Sequence, residues 1–217
     1  AQQAIAAAKA AFGPWSRTTR AERIAVLHRM HRAVADCEEA LMTAIITEYG
    51  APATRSRWMA QYPAEVIAQT IEALESFEFT ESVGCARVVM TPVGVAGLIT
   101  PWNSDAGFIC NKLATAMAAG CTTVIKPSEM SAIQTQIITD ALHKAAIPAG
   151  VFNVITGRGD VVGDVLSHHP DIAKISFTGS TLVGKHLVES GAQTLKRITL
   201  ELGGKSPTVI LDDADVE

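Results

Sequence analysis

Residues 95–129 read VAGLITPWNSDAGFICNKLATAMAAGCTTVIKPSE, and the alternation inside this stretch decides the fold class. VAGLIT, at 95–100, is a short apolar run that reads as a buried strand. Ala106–Ala119 has the length and composition of a helix, and TTVIK, at 122–126, is a second strand. The pattern then repeats. Strand-like runs are VFNVIT at 151–156, AKISFTG at 173–179, RITLEL at 197–202 and TVIL at 208–211. Between them lie helix-like runs at Ala132–Ala146, Asp160–Ser167 and Thr181–Gly191. Strands that alternate with crossover helices imply an α/β fold, with a mainly parallel sheet covered by helices on both faces. Right-handed crossovers put every strand C-terminus on one edge, which is where open parallel sheets bind ligands.

Upstream of this unit the texture differs. In residues 18–50, TTRAERIAVLHRMHRAVADCEEALMTAIITEYG, the apolar positions Ile24, Leu27, Val34, Leu41 and Ile45 fall at helical spacing. Thr19 and Glu22 form a capping-box pair, Asp36 is placed to begin a second helix, and Gly50 with Pro52 to end it. Pro63–Ser76 reads as a third helix opened by its proline. Residues 86–100, ARVVMTPVGVAGLIT, read as two strands broken at Pro92.

The 217 residues are 48% hydrophobic and 18% charged, enough apolar material for a sizeable core. The formal net charge is -4 with no Lys/Arg run, so nothing electrostatic points to nucleic acid. No apolar stretch is long enough to span a membrane, and AQQAIAAAKAAF at the start lacks the features of a secretory signal. Cys37, Cys85, Cys110 and Cys121 match neither zinc-site nor CxxC spacing and read as free thiols of a reducing cytosol. His28 and His31, and the adjacent His168 and His169, are joined by no Cys or carboxylate cluster, so no metal site is expected.

The unusual chemistry sits in the loops that follow the strands. In TPWN, a rigid Asn103 amide could stabilise a developing oxyanion, worth about 3–4 kcal/mol, or could tie down the turn after Pro101. In KPSE, Glu129 could accept both hydroxyls of a ribose while Lys126 donates to a ribose or phosphate; a solvated ion pair is the alternative. Such a glutamate repels a 2′-phosphate and favours NAD over NADP. TGRGDVVG, with Gly157, Gly159 and Gly163, is one residue too long for GxGxxG and equally describes a tight packing turn. In FTGSTLVG, from Phe177 to Gly184, Gly179 permits close backbone approach and Ser180 offers a hydroxyl. The helix behind them favours a phosphate, unless Ser180 or Thr181 merely caps it. Glu201, at the end of what reads as a buried strand, is a candidate base raised by desolvation, with Gly203 and Gly204 leaving space beside it. The alternative is a capping or salt-bridged carboxylate. Lys112 is a solvated amine or a support for Asn103.

Taken together and in order, TPWN, KPSE, FTGSTLVG and LELGGKSP resemble the aldehyde dehydrogenase superfamily, over most of the chain from the N-terminal helices to LDDAD. The resemblance implies a Rossmann-like cofactor domain. It also implies NAD(P)-dependent oxidation of an aldehyde to a carboxylic acid through a cysteine thiohemiacetal and thioester. Asn103 would form the oxyanion hole, Glu201 would activate the hydrolytic water, and Lys112 would support them. Lys126 and Glu129 would hold the adenosine ribose, and Ser180 the pyrophosphate. Ile99, Thr100, Pro101 and Trp102 would line the cleft with Gly159, Phe177, Gly179 and Val183, while Leu202 and Gly203 approach the nicotinamide.

The same resemblance divides the chain into N-terminal helices at 1–76, part of an oligomerisation arm at 77–92 and a NAD-binding unit at 93–217. It implies NAD as cofactor with NADP possible, a small aldehyde as substrate, a homodimer or homotetramer and a cytoplasmic location. The helix capped by GSTLVG would lie at a dimer contact. Two positions depart from the family pattern. Asp105 stands where the family usually has proline, and Ser104 replaces a common bulky residue; both are expected near the substrate entrance. None of the four cysteines matches the family nucleophile, which is expected in a second domain beyond these residues. A non-catalytic nucleotide-binding or structural protein on the same fold is the alternative. A general Rossmann reductase would need a Tyr/Lys or His acid–base site, and Tyr49 and Tyr62 both fall in the helical third.

Overall fold

The computed structural model of the chain describes residues 1–215. The last two positions of the expected 93–217 unit therefore lie outside the described residues. Four helices come first: α1 (Gln2–Ser16), α2 (Arg20–Ala35), α3 (Glu38–Tyr49) and α4 (Ala53–Ser76). A hairpin, β1 (Thr80–Val83) and β2 (Ala86–Val89), leads into the alternating unit. That unit runs β3 (Val95–Ile99), α5 (Asp105–Ala118), β4 (Thr122–Lys126), α6 (Ala132–Lys144) and β5 (Phe152–Val154). It ends with α7 (Asp164–His168), β6 (Ile172–Gly179), α8 (Thr181–Ala192) and β7 (Arg197–Leu202). A π turn, Gly159–Gly163, precedes α7, where the sequence predicts one continuous helix.

The five strands β3–β7 form one parallel sheet in the order β5-β4-β3-β6-β7. Every residue of β3 and β4 is buried, as two covered faces require, with successive side chains on opposite faces. Ala96 and Leu98 of β3 and Ile125 of β4 join the core shared with α2–α6. Val95, Ile99 and Val124 join the opposite core with Ile5 of α1, Leu166 of α7 and Leu187 of α8. Gly97 lies between Val95 and Ile99 on that second face. A Cβ there would come within 2.8 Å of Ile175 Cδ1, so the missing side chain lets β6 pack close. The Ala-rich start is thus a working part of the fold: α1 lies on this face, and its Ala8 carbonyl accepts a 2.8 Å hydrogen bond from Thr122 Oγ1.

Local signals explain most boundaries. The Thr19–Glu22 capping box is formed in both directions, and Gly50 ends α3 in the left-handed conformation at φ 75°. Three expectations are corrected. α3 starts at Glu38, because Asp36 is taken up as the C-cap of α2. α4 starts at Ala53, not at Pro63. Its buried stripe, Ser56, Met59, Ala60, Pro63, Val66, Ile67, Ile71 and Leu74, runs through the proline, so packing outweighs the lost backbone bond. TVIL forms no strand. Val209, Ile210 and Leu211 are exposed and pair with no strand among the described residues. The hairpin carries strand β2 where ARVV predicts one, but β1, TESV, has no apolar alternation to announce it. No helix among the described residues is long and apolar enough to cross a membrane.

Arg23 ties the helical third to the sheet layer. Its guanidinium is buried and donates to Thr18 Oγ1, the Ser16 carbonyl and, across the interface, the Ala118 carbonyl at the end of α5. Gly120, at φ 80°, leaves the room: a Cβ there would stand 2.6 Å from Arg23 Nη2. Arg23→Leu should lower stability by about 2–4 kcal/mol, since buried carbonyls lose their donor. Urea unfolding of the protein checks this, and an unchanged midpoint would show that the tie contributes nothing.

Candidate active site

The strand order reverses between β3 and β6, because crossovers run outward from β3 through β4 and from β6 through β7. The loops beyond the strand C-termini diverge there and leave a crevice. It is a cleft of about 1190 Å³. β3 supplies Ile99, Thr100, Pro101, Trp102 and Asn103; β4 supplies Lys126 and Glu129; the loop after β5 supplies Gly159. β6 and the start of α8 supply Phe177, Gly179, Ser180 and Val183; β7 supplies Glu201, Leu202 and Gly203; α5 supplies Lys112. The residues singled out from the sequence therefore share one cavity.

At one end of the cleft Lys126 is 4% exposed and its Nζ lies 2.7 Å from Glu129 Oε2, whose side chain is 53% exposed. The lysine hydrogen bond, with the positive charge of Lys126 and Arg158, holds the Glu129 carboxyl below its usual range. The pair is thus anchored from inside rather than solvated at both ends, which leaves the outer carboxylate oxygen free for a ligand. In the middle, Ser180 N-caps α8, accepting from Val183 N–H at 3.3 Å. The capping alternative is therefore formed, and Ser180 and Val183 also line the cleft. Gly179 has no room for a side chain: a Cβ would meet Phe177 Cζ at 2.5 Å.

At the far end stand Asn103, Lys112 and Glu201. Asn103 is exposed at the start of the loop into α5. Lys112 Nζ donates to Ser176 Oγ at 2.9 Å. Burial pushes the Lys112 amine down to about 8, with Lys174 adding to the fall and the Glu201 charge opposing it. Glu201 corrects an expectation. It is exposed rather than sealed at a buried strand end, because β7 is an edge strand paired on one side with β6. Gly203 has open space where a side chain would project.

Residues the sequence reading passed over also line this cleft. Tyr62 of α4 and Phe108 and Asn111 of α5 flank the Asn103–Glu201 end. Phe108 precedes Lys112 by one helical turn, so the face of α5 was legible once Lys112 was chosen. Thr178 pairs with Glu201 in the β6–β7 register, and its buried hydroxyl has no hydrogen-bond partner among the described residues. The structure overturns the placement of Asp105 at a substrate entrance: it is fully buried at the base of α5. Ser104 occupies the N-cap position of that helix without a side-chain capping bond and is absent from the cleft lining. None of the cysteines lines the cleft either; burial raises the Cys110 thiol far above its usual range.

Residues 1–217 match the Aldehyde dehydrogenase family. This chain belongs to that family. It is 42% identical over 216 residues to a 3-succinoylsemialdehyde-pyridine dehydrogenase of a Pseudomonas species, covering 99% of this chain and 45% of that protein. It is 36% identical to a mitochondrial succinate-semialdehyde dehydrogenase of Oryza sativa, covering 99% of this chain and 42% of that protein. Among solved structures, a mutant aldehyde dehydrogenase C of Pseudomonas syringae, in complex with NAD+ and octanal, superposes with a TM-score of 0.94 at 41% identity. That match covers 99% of this chain and 44% of that one. The chain thus spans a little under half the length of the relatives it matches.

A dinucleotide fits the donor set of this family member: a carboxylate–amine pair at one end, helix-terminal amides in the middle and an orphan Thr178 hydroxyl towards the other. Lys112 offers a direct test of the electrostatics at the chemical end. Its ammonium resonance, followed by NMR in selectively labelled protein, should titrate with a midpoint near 8. Glu201→Gln should lower that midpoint further, since removing the carboxylate charge removes the influence that raises it. An ordinary lysine titration would overturn the assignment.

Proposed function

We propose that the chain is the cofactor-binding part of an NAD(P)-dependent aldehyde dehydrogenase that oxidises a small aldehyde to a carboxylic acid, with NAD preferred. The observation that carries this reading is the convergence of Asn103, Lys112 and Glu201 with the Lys126–Glu129 pair and the start of α8 on one cleft. The relatives named for semialdehydes, and the Pseudomonas syringae structure with NAD+ and octanal, support it.

In this reading Glu129 accepts from the adenosine ribose, Lys126 holds Glu129 and donates beside it, and the α8 amides with Ser180 receive the pyrophosphate. Ile99–Trp102, Gly159, Phe177, Gly179 and Val183 give the cofactor its walls, and Leu202 and Gly203 border the nicotinamide. Bound NAD supplies the hydride acceptor. The Asn103 amide donates to the aldehyde oxygen as it gains negative charge. Lys112, charged below its midpoint near 8, adds positive potential at the same end. Glu201 accepts a proton from the water that attacks the thioester. This reading assigns the thioester to none of the four cysteines: Cys110 and Cys121 are buried, Cys37 Sγ donates to the Ala33 carbonyl, Cys85 lies on the hairpin turn, and none lines the cleft.

The expected division into 1–76, 77–92 and 93–217 belongs to the same proposal. The hairpin at 80–89 stands as a separate two-stranded sheet with Val83, Val88 and Val89 exposed, a surface suited to joining subunits into a homodimer or homotetramer. Free cysteines suit a reducing compartment, and we read the protein as cytoplasmic.

The full-length protein should reduce NAD in the presence of an aldehyde. Asn103→Ala should slow the first burst of NADH by about 10²-fold or more. Glu201→Gln should keep the burst and slow the steady state by about 10²-fold. A Glu201→Gln enzyme with an unchanged steady-state rate would refute the base assignment. A full-length protein that binds NAD and oxidises no aldehyde would favour the non-catalytic reading.

A further inference from the structure

Asp105 is a charged residue with no role in the proposed chemistry, fully buried beneath the two loops that form one wall of the cleft. Its Oδ1 accepts from Thr100 Oγ1 at 2.5 Å, at the end of β3. Its Oδ2 lies 2.7 Å from Thr135 Oγ1 on α6. The Ser128 backbone, in the Lys126–Glu129 loop, favours the ionised form of the same carboxyl. One side chain therefore joins the loop that presents Asn103, the loop that presents Glu129 and the helix behind them. A second link runs parallel to it: Ser131 Oγ donates to the Trp102 carbonyl at 2.7 Å.

We infer that Asp105 is a positioning residue that locks the Trp102–Ser104 loop to the Ser128–Ser131 loop, so that the oxyanion donor and the ribose carboxylate keep a fixed separation. The inference rests on the cofactor reading of the cleft only for its functional consequence. The lock itself stands on the bonds just given.

The proton inventory defines its state. Thr135 Oγ1 also lies 2.9 Å from the Ser131 carbonyl, and a hydroxyl has one proton to give. When Asp105 is protonated, its O–H donates to Thr135 and Thr135 donates to Ser131, so every group is satisfied. When Asp105 is ionised, Thr135 must abandon one acceptor. The surroundings agree: burial pushes the Asp105 carboxyl up to about 6, against the hydrogen bonds of Thr100, Thr135 and Ser128. Glu48 of α3, which itself caps α6 by accepting from Ile133 and Gln134 N–H, raises it further. Cys110, on Asp105's own helix, stays an un-ionised thiol. The sign follows. The locked form has a carboxyl pKa above the ordinary 3.8, so it holds a proton that the unlocked form releases. The lock weakens as pH rises towards about 6 and changes no further above it.

The test uses the full-length protein with Asp105→Ala, Asp105→Asn and Thr135→Val. Without any ligand, hydrogen exchange should rise by about tenfold in 102–104 and 128–131 for Asp105→Ala, with the rest of the chain unchanged. Thr135→Val should loosen mainly 128–131, which keeps the test open if the alanine variant does not fold. Asp105→Asn, which can both accept and donate, should keep both loops protected. With NAD, Asp105→Ala should raise KM and lower kcat together. Wild-type NAD affinity should fall as pH rises from about 4 towards 6 relative to Asp105→Asn, with the ratio level above that. Unchanged loop exchange, or exchange raised evenly over the whole chain, would overturn the lock. Unchanged KM and kcat in Asp105→Ala would overturn its functional consequence while leaving the enzyme reading intact. Loosened loops in Asp105→Ala, with a wild-type protein that ignores NAD, would instead overturn the enzyme reading and leave the lock standing.

Discussion

The structure depends on β3 being buried from both sides while paired in parallel on both edges. Val95 and Ile99 face one core, Ala96 and Leu98 the other, and β4 and β6 flank it. A strand in that position has no freedom of register or tilt, since a one-residue slip would exchange its two faces. Its C-terminus is therefore the most firmly placed point in the molecule. The chain has to leave it towards α5 on one side, while β6 leaves towards α8 on the other. The crevice between them is a consequence of that divergence, and Asn103 stands at its lip four residues past the strand.

This constraint also explains what was legible in the sequence. β3, β4 and β6 and the helices between them are fully or largely covered, so their apolar runs are dense and their boundaries fall close to the expected positions. The misses lie where local pattern and tertiary packing part company. TESV at 80–83 pairs in an exposed hairpin that buries nothing, so no alternation marks it. Pro63 looks like a helix start because a proline costs a bond anywhere else; the apolar stripe on both of its sides outweighs that cost. TVIL has a strand's composition and no partner among the described residues, and a strand needs a partner to satisfy its backbone.

The site was more legible than its supports. Lys126 and Glu201, near the ends of β4 and β7, and Glu129 just beyond β4 announce themselves as charges set against apolar strand runs. Asp105 gives no such signal. Its partners Thr100, Ser128 and Thr135 lie five to thirty residues away, and only the packing of α6 against the β3–α5 junction brings them together. Thr178 is hidden for a similar reason, lying between two glycine-loop residues that attract the eye.

The cleft is unequal along its length, and the inequality follows from the same packing. The end that holds Lys126 and Glu129 is preformed: Lys126 is anchored in the sheet, Ser131 holds Trp102, Asp105 joins the loops, and Glu48 fixes the start of α6. Its chemical end is open, with Glu201, Leu202 and Gly203 on an edge strand and Asn103 exposed. A ligand that bridges both ends pays little ordering entropy at the first, because the polar groups there already hold one arrangement. Its binding energy is then available to order the second. Burial depresses the Lys112 amine while the neighbouring Glu201 carboxylate opposes that fall. Any step that gives Glu201 a proton therefore shifts the Lys112 amine further down. Lys112 and Glu201 are therefore electrostatically one unit, set apart from the preformed Lys126–Glu129 end.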